Sequence, residues 1–206
     1  MPLPLEDHVR QTLLENDRGA KLYNAAMDGW QAFKELYPNR HRWRRKSASR
    51  HMVWEEVVQR LAEVAANDDD IHFVEHQDTV SMVIEGEVLF RLKHADMALV
   101  THNYPTAEAQ KYDDHEIDDL FGFSGVQRVK LCYVPDQYME ELVWVGIAAY
   151  DQGKLIWRIE LQDSGIVKPV AELPLQQPDT NTERLAKLKN PETDAGQKKK
   201  NKKDNG

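Results

Sequence analysis

Apolar residues recur every three to four positions over the first third of the chain and every second position after it. Within residues 5–37, Tyr23, Ala26, Met27, Trp30, Phe33 and Tyr37 fall on one stripe, which predicts helix. Asp17 is placed to cap a second helical stretch, Gly19 and Gly29 weaken the run, and Pro38 ends it. Val53, Val57, Leu61 and Val64, widened by Trp54, Val58 and Ala65, predict a second helix over 49–66, stopped by Asn67 and the Asp68-Asp69-Asp70 run. The period then drops to two. Strands are expected over 71–76, 79–85 and 87–93, with a tight turn at Glu85-Gly86. Three more are expected over 127–134, 142–150 and 154–161, the last two joined by an Asp151-Gln152-Gly153 turn.

Residues 94–125 are polar, and Pro105 suits the first turn of a short crossover helix reaching about residue 119. The expected fold is therefore α+β. Two N-terminal helices (5–66) precede a six-strand, mainly antiparallel sheet (71–161), split three and three by the helical crossover. The single domain spans 1–166. Beyond it, 167–206 reads as a disordered, Lys-rich tail. Pro174, Pro178 and Pro191 sit there among polar residues with too little apolar bulk to offset ordering entropy.

Composition alters this picture mainly through charge. The 206 residues carry 27 Lys+Arg and 35 Asp+Glu, a net charge of −8. Residues 40–51, RHRWRRKSASRH, hold six of the cations and no acid, and 197–206 hold five Lys and one Asp. The rest of the chain then has a charge of −18. The start of the sequence has no basic n-region or apolar h-region of a signal peptide, and no apolar run spans a bilayer. The single Cys132 rules out an intramolecular disulfide framework and reads as a buried thiol, so a cytoplasmic setting is expected.

Motifs for nucleotide loops, zinc proteases, redox dithiols and serine nucleophile elbows are absent. A nuclease core would need E-x-K on the hairpin strand after Asp78, and 87–93 reads EVLFRLK. The sharpest positive feature is the basic segment Arg40, Arg42, Trp43, Arg44, Arg45, Lys46 and Arg50. Arg forks hold phosphate bidentately and an indole can stack on a base. Cations just before a helix N-terminus also oppose its dipole by a few tenths of a kcal/mol each, which suggests another gain. Pairing with the acidic body, or with a partner protein, is the simpler reading of such a motif-free basic run. His94, Asp96, His102, Asp113, Asp114, His115 and Glu116 are metal-ligand types in a pattern matching no known site, and a solvated helix face is the simpler reading. His72 and His76 share a strand face roughly 13 Å apart, too far for one ion. Tyr133, Trp144, Tyr150 and Trp157 read as core, or as anchors for a partner. The Lys198–203 run reads as a solubilising or polyanion-binding tail.

The block Tyr104-Pro105-Thr106-Ala107-Glu108-Ala109-Gln110 follows the strand over 88–92. It precedes Val129-Lys130-Leu131-Cys132-Tyr133-Val134, and Leu155-Ile156-Trp157 comes later. This order, over 43–161, resembles a group of uncharacterised bacterial proteins from prophage or defence-type islands. Those are encoded beside a metallopeptidase-like or repressor-like partner. The resemblance implies a toxin–antitoxin-like or regulatory two-gene setting and carries no catalytic motif.

Three functions are expected from these features. The first is a cytoplasmic accessory or regulatory protein that binds a partner protein, its acidic body steering the encounter. The second is a nucleic-acid-binding module using the 40–50 segment. The third is a toxin-like hydrolase or nuclease. No metal, cofactor or membrane is called for, and no oligomeric state is set.

Overall fold

A computed structural model describes residues 3–76, 79–101, 109, 112–115, 119–120 and 123–167. These lie in one compact unit, Met1–Lys168. The expected tail, apart from Val167, and most of the expected crossover helix lie outside the described residues.

Three helices come first: α1 (Glu6–Leu14), α2 (Arg18–Leu36) and α3 (Lys46–Ala66). Strands follow: β1 (Ile71–His76), β2 (Thr79–Ile84), β3 (Val88–His94), β4 (Asp119–Leu120), β5 (Phe123–Ser124), β6 (Gln127–Pro135), β7 (Leu142–Asp151), β8 (Lys154–Gln162) and β9 (Gly165–Ile166). The fold is thus α+β. The main sheet has seven strands rather than six, in the order β1-β2-β3-β6-β7-β8-β9, because Gly165 and Ile166 add a short edge to β8. It is mixed: β3 and β6 run parallel while the other neighbours are antiparallel. β4 and β5 form a separate pair.

Two local expectations are corrected. Asp17 makes no side-chain cap; it and Asn16 adopt φ of 56° and 51°, and this left-handed pair breaks the expected helix into α1 and α2. The helix expected over 49–66 begins three residues earlier, at Lys46. Among the described residues, no helix is long and apolar enough to cross a membrane.

All three helices cover one face of the sheet. Leu22, Trp30 and Phe33 of α2 and Val53, Val57 and Leu61 of α3 meet Met82, Ile84, Phe90, Leu131, Ile147 and Ile159 of the strands. Burying each such side chain contributes about 1.5–3 kcal/mol. α2 and α3 cross closely at Gly29, where an added Cβ would lie 2.6 Å from the Val57 Cα.

One buried charge ties the helical layer to the sheet. The Arg18 side chain, at the start of α2, is fully buried. It donates to Asp68 at 3.2 Å, to Asp70 at 3.0 Å and to Glu85. Asp68 and Asp70 lead into β1, and Glu85 sits in the β2–β3 turn with φ of 56°. Burial alone would raise the Asp68 carboxyl, but the Arg18 hydrogen bond and the Asp70 N–H hold it below the usual carboxylate range. The Arg18 hydrogen bond likewise lowers Glu85, outweighing its partial burial.

Candidate nucleic-acid interface

The chain turns back after α2 through a short 3-10 turn, Arg40–Arg42, before α3 starts. Trp43 closes this turn by packing inward. Its ring centroid lies 5.4 Å from Tyr37 and 6.3 Å from Phe33, both edge-on. Trp43 is therefore half-buried as part of an aromatic wall. Arg40 also turns inward: its Nη2 donates to Glu140 at 2.7 Å and its Cζ lies 5.8 Å from the Phe33 centroid.

Arg42, Arg44, Arg45 and Arg50 behave differently. All four are exposed, and none forms an ion pair with a described residue. The Lys46 side chain lies outside the described residues. The basic segment is thus split: Arg40 and Trp43 fold against the body, while four arginines face solvent. Arg40→Ala is expected to cost only about 1 kcal/mol, since Glu140 is an exposed partner, and urea unfolding at neutral pH checks this.

A second group of cations was not singled out from the sequence. Parallel pairing sets Leu89 beside Arg128, Arg91 beside Lys130 and Lys93 beside Cys132, so Arg91, Lys93, Arg128 and Lys130 share the sheet face turned away from the helices. Alternation with apolar residues makes such positions read as solvated. Arg91, Arg128 and Lys130 are instead almost fully buried. Residues 112–115 supply part of the cover. Lys130 pairs with Asp113 at 2.9 Å and lies 4.4 Å from the Tyr150 ring centroid. The Arg91 Cζ lies 4.1 Å over Tyr112, and Arg128 donates to the Asp114 carbonyl at 2.7 Å. The Tyr112 hydroxyl reaches the Leu89 and Val129 carbonyls at 2.9 and 2.5 Å, and the His115 Nε2 lies 2.8 Å from the Tyr150 carbonyl. Burial raises the Tyr112 phenol and pushes the Cys132 thiol up to about 12, so the thiol stays protonated at neutral pH.

The remaining sequence features find structural places. Among the described residues no three His, Cys, Asp or Glu side chains gather to hold a metal. His102 and Glu116 lie outside those residues. Asp96 accepts from the Ala98 and Val100 N–H groups, each at 2.9 Å. His94 packs edge-on against Tyr133, and His72 is exposed. Tyr133 and Tyr150 are buried, Trp144 and Trp157 half-buried, and the Trp157 Nε1 donates to the Pro4 carbonyl at 2.8 Å. The exposed apolar residues of this region are divided, Tyr138 and Val143 near the start of β7 and Leu155 and Ile156 beside the turn at its other end.

Comparisons of the chain with protein-family models, curated proteins and solved structures gave no match.

Proposed function

We propose that this protein binds the phosphate backbone of nucleic acid through Arg42, Arg44, Arg45 and Arg50. One observation carries the reading: these four arginines stand exposed, without ion pairs to described residues, on a chain whose net charge is negative. Intramolecular pairing is the competing explanation, and among the described residues Arg40 alone of the loop's arginines forms such an ion pair. The α3 dipole opposes Arg44, Arg45 and Lys46 near its N-terminus, a local cost that phosphate would reverse. With Trp43 half-buried against Tyr37 and Phe33, the reading rests on charge, and the binding is electrostatic and tolerant of sequence.

The same reading takes the protein as a cytoplasmic accessory or regulatory factor in a two-gene setting, supported by the order of its sequence blocks. It takes the β3–β6 connection as a helical crossover, supported by the helical turn at Tyr112 and Asp113. A partner protein as the main ligand has weaker support, because the exposed apolar residues of β7 and β8 do not gather.

The test is fluorescence anisotropy with labelled single-stranded and duplex probes over a range of salt. Replacing Arg42, Arg44 and Arg45 together by Ala should weaken binding. It should flatten the slope of log K against log salt by about two to three, one phosphate contact per arginine. An unchanged slope would remove the loop from the interface.

A further inference from the structure

Among the described residues, β1 is an edge of the main sheet, paired with β2 on one side only. Its hydrogen-bonding parity is set by the Glu85 N–H, which donates to the Asp70 carbonyl at 2.8 Å. In the antiparallel register that follows, His72 and Val74 bond to Val83 and Ser81. Phe73 and Glu75 therefore turn their backbone N–H and C=O groups outward, and no described residue meets them. The Ile71 N–H is already used, donating to the Asp68 carbonyl at 3.0 Å.

Edges of this kind are commonly blunted by Lys, by Pro, by a bulge or by short length. β1 has six residues in unbroken register and none of those devices. The opposite edge, β9, has two residues. β1 also offers apolar surface to a neighbour: Phe73 is half-buried against the helical core and Val74 against the cluster of Val83 and Leu89.

Charge selects the occupant. No Lys or Arg lies between Arg60 and Arg91 in the sequence. Arg18 serves Asp68, Asp70 and Glu85, and Lys21 lies 3.9 Å from Asp68. Asp69 and Glu75, near the two ends of the edge, are exposed and form no ion pair with a described residue. A second copy, paired two-fold on this edge, would add the same two acids to the seam. A strand carrying Lys or Arg would meet them with opposite charge.

We propose that β1 accepts an extended basic segment of a partner protein as a further strand, held by the Phe73 and Glu75 backbone groups. An antiparallel segment sets apolar side chains beside Ile71 and Phe73 and a cation beside Glu75, all on the helix side of the sheet. The edge uses none of the loop arginines, so it stands apart from nucleic-acid binding.

The probe is a capped peptide, Thr-Lys-Thr-Val-Thr-Val-Thr-Lys, with a counterpart carrying Glu for both Lys. The Lys peptide should bind about tenfold more tightly than the Glu peptide, and high salt should shrink the preference. Hydrogen exchange read by NMR locates the contact. The Phe73 and Glu75 amides should exchange fast in the free chain and slow on binding, whereas His72 and Val74 stay protected throughout. Glu75→Lys should reverse the peptide preference. Glu75→Pro removes an outward N–H that β2 does not use, so it should fold and bind neither peptide. Thermal unfolding of both variants should match the parent chain. The loop variant with Arg42, Arg44 and Arg45 replaced by Ala should keep its affinity for the Lys peptide. Equal affinity for the two peptides, or unchanged exchange at Phe73 and Glu75 under saturating Lys peptide, would overturn the proposal. So would the absence of binding at millimolar peptide. Self-association of the parent chain in sedimentation, abolished by Glu75→Pro, would assign the edge to a second copy and overturn it as well.

Discussion

Arg18→Met is expected to lose about 3–5 kcal/mol of stability, the cost of removing one member of a buried ionic network. Domains of this kind hold about 5–15 kcal/mol in all, so the variant should unfold at a much lower denaturant concentration. The cause is specific. Methionine fills much of the space of the arginine stem but leaves the Asp68 carboxylate, only 6% exposed, and the partly buried Glu85 without their cation. Glu85 also pays for its left-handed backbone, and its carboxylate contact with Arg18 is the evident compensation.

The pH dependence follows from the same carboxyls. Asp68 and Glu85 are held below the range they have in the unfolded chain. Each therefore contributes stability that is fully present above the unfolded carboxylate range. That contribution is lost as pH falls through the lowered folded values. Without Arg18, only the Asp70 N–H and the more distant Lys21 ammonium oppose burial at Asp68, so its carboxyl moves upward. Parent and variant should then differ most near neutral pH and converge in acid. Equal urea midpoints at neutral pH would show that the network contributes nothing.

Gly29→Ala and Gly19→Ala, two identical changes in one helix, are expected to have opposite outcomes. Alanine raises helix propensity by about 0.8–1.0 kcal/mol at an interior position. At Gly29 the new Cβ would meet the Val57 Cα at 2.6 Å, its N at 2.7 Å and its Cγ2 at 2.8 Å. Two of these atoms are backbone, so relief requires α2 and α3 to separate along a seam that includes Trp30, Phe33 and Val53. A net loss of about 1–3 kcal/mol is expected, overpacking outweighing propensity. At Gly19 the nearest atoms lie at 3.4, 3.5 and 3.6 Å, ordinary contact distances, so that variant should be neutral or slightly stabilised. Thermal unfolding of the pair checks both signs. A stabilised Gly29→Ala would mean that the helices are not in close contact.

Both glycines look alike in the sequence, as interruptions of an apolar stripe. Only the position of Val57 separates them, and Val57 belongs to another helix. The same limit governs the rest. Strand limits read from period-two alternation fall within a residue of the observed ones, because each strand turns one face to the helical layer and that constraint is local. The β3–β6 pairing is not local, and nothing in the alternation of 87–93 or 127–134 encodes it. The buried cations escaped for a related reason. Arg91 and Lys130 alternate with apolar neighbours as solvent-facing residues do, and the cover at 112–115 that reverses this reading comes from a polar stretch. The basic loop was legible in composition. The inward packing of Trp43 was not, since Phe33 and Tyr37 reach it from before the Pro38 turn.

The parallel seam between β3 and β6 also bears on time. The β1–β2, β2–β3, β6–β7 and β7–β8 pairs join neighbouring stretches of chain, whereas Val88 meets Gln127 across about forty positions, and closing so long a loop carries the larger entropic cost. Formation of the seam should therefore set the refolding rate, and a break there would leave two ribbons with bare edges, each open to pairing with another chain. The central seam is thus where a slow or crowded fold would begin to aggregate.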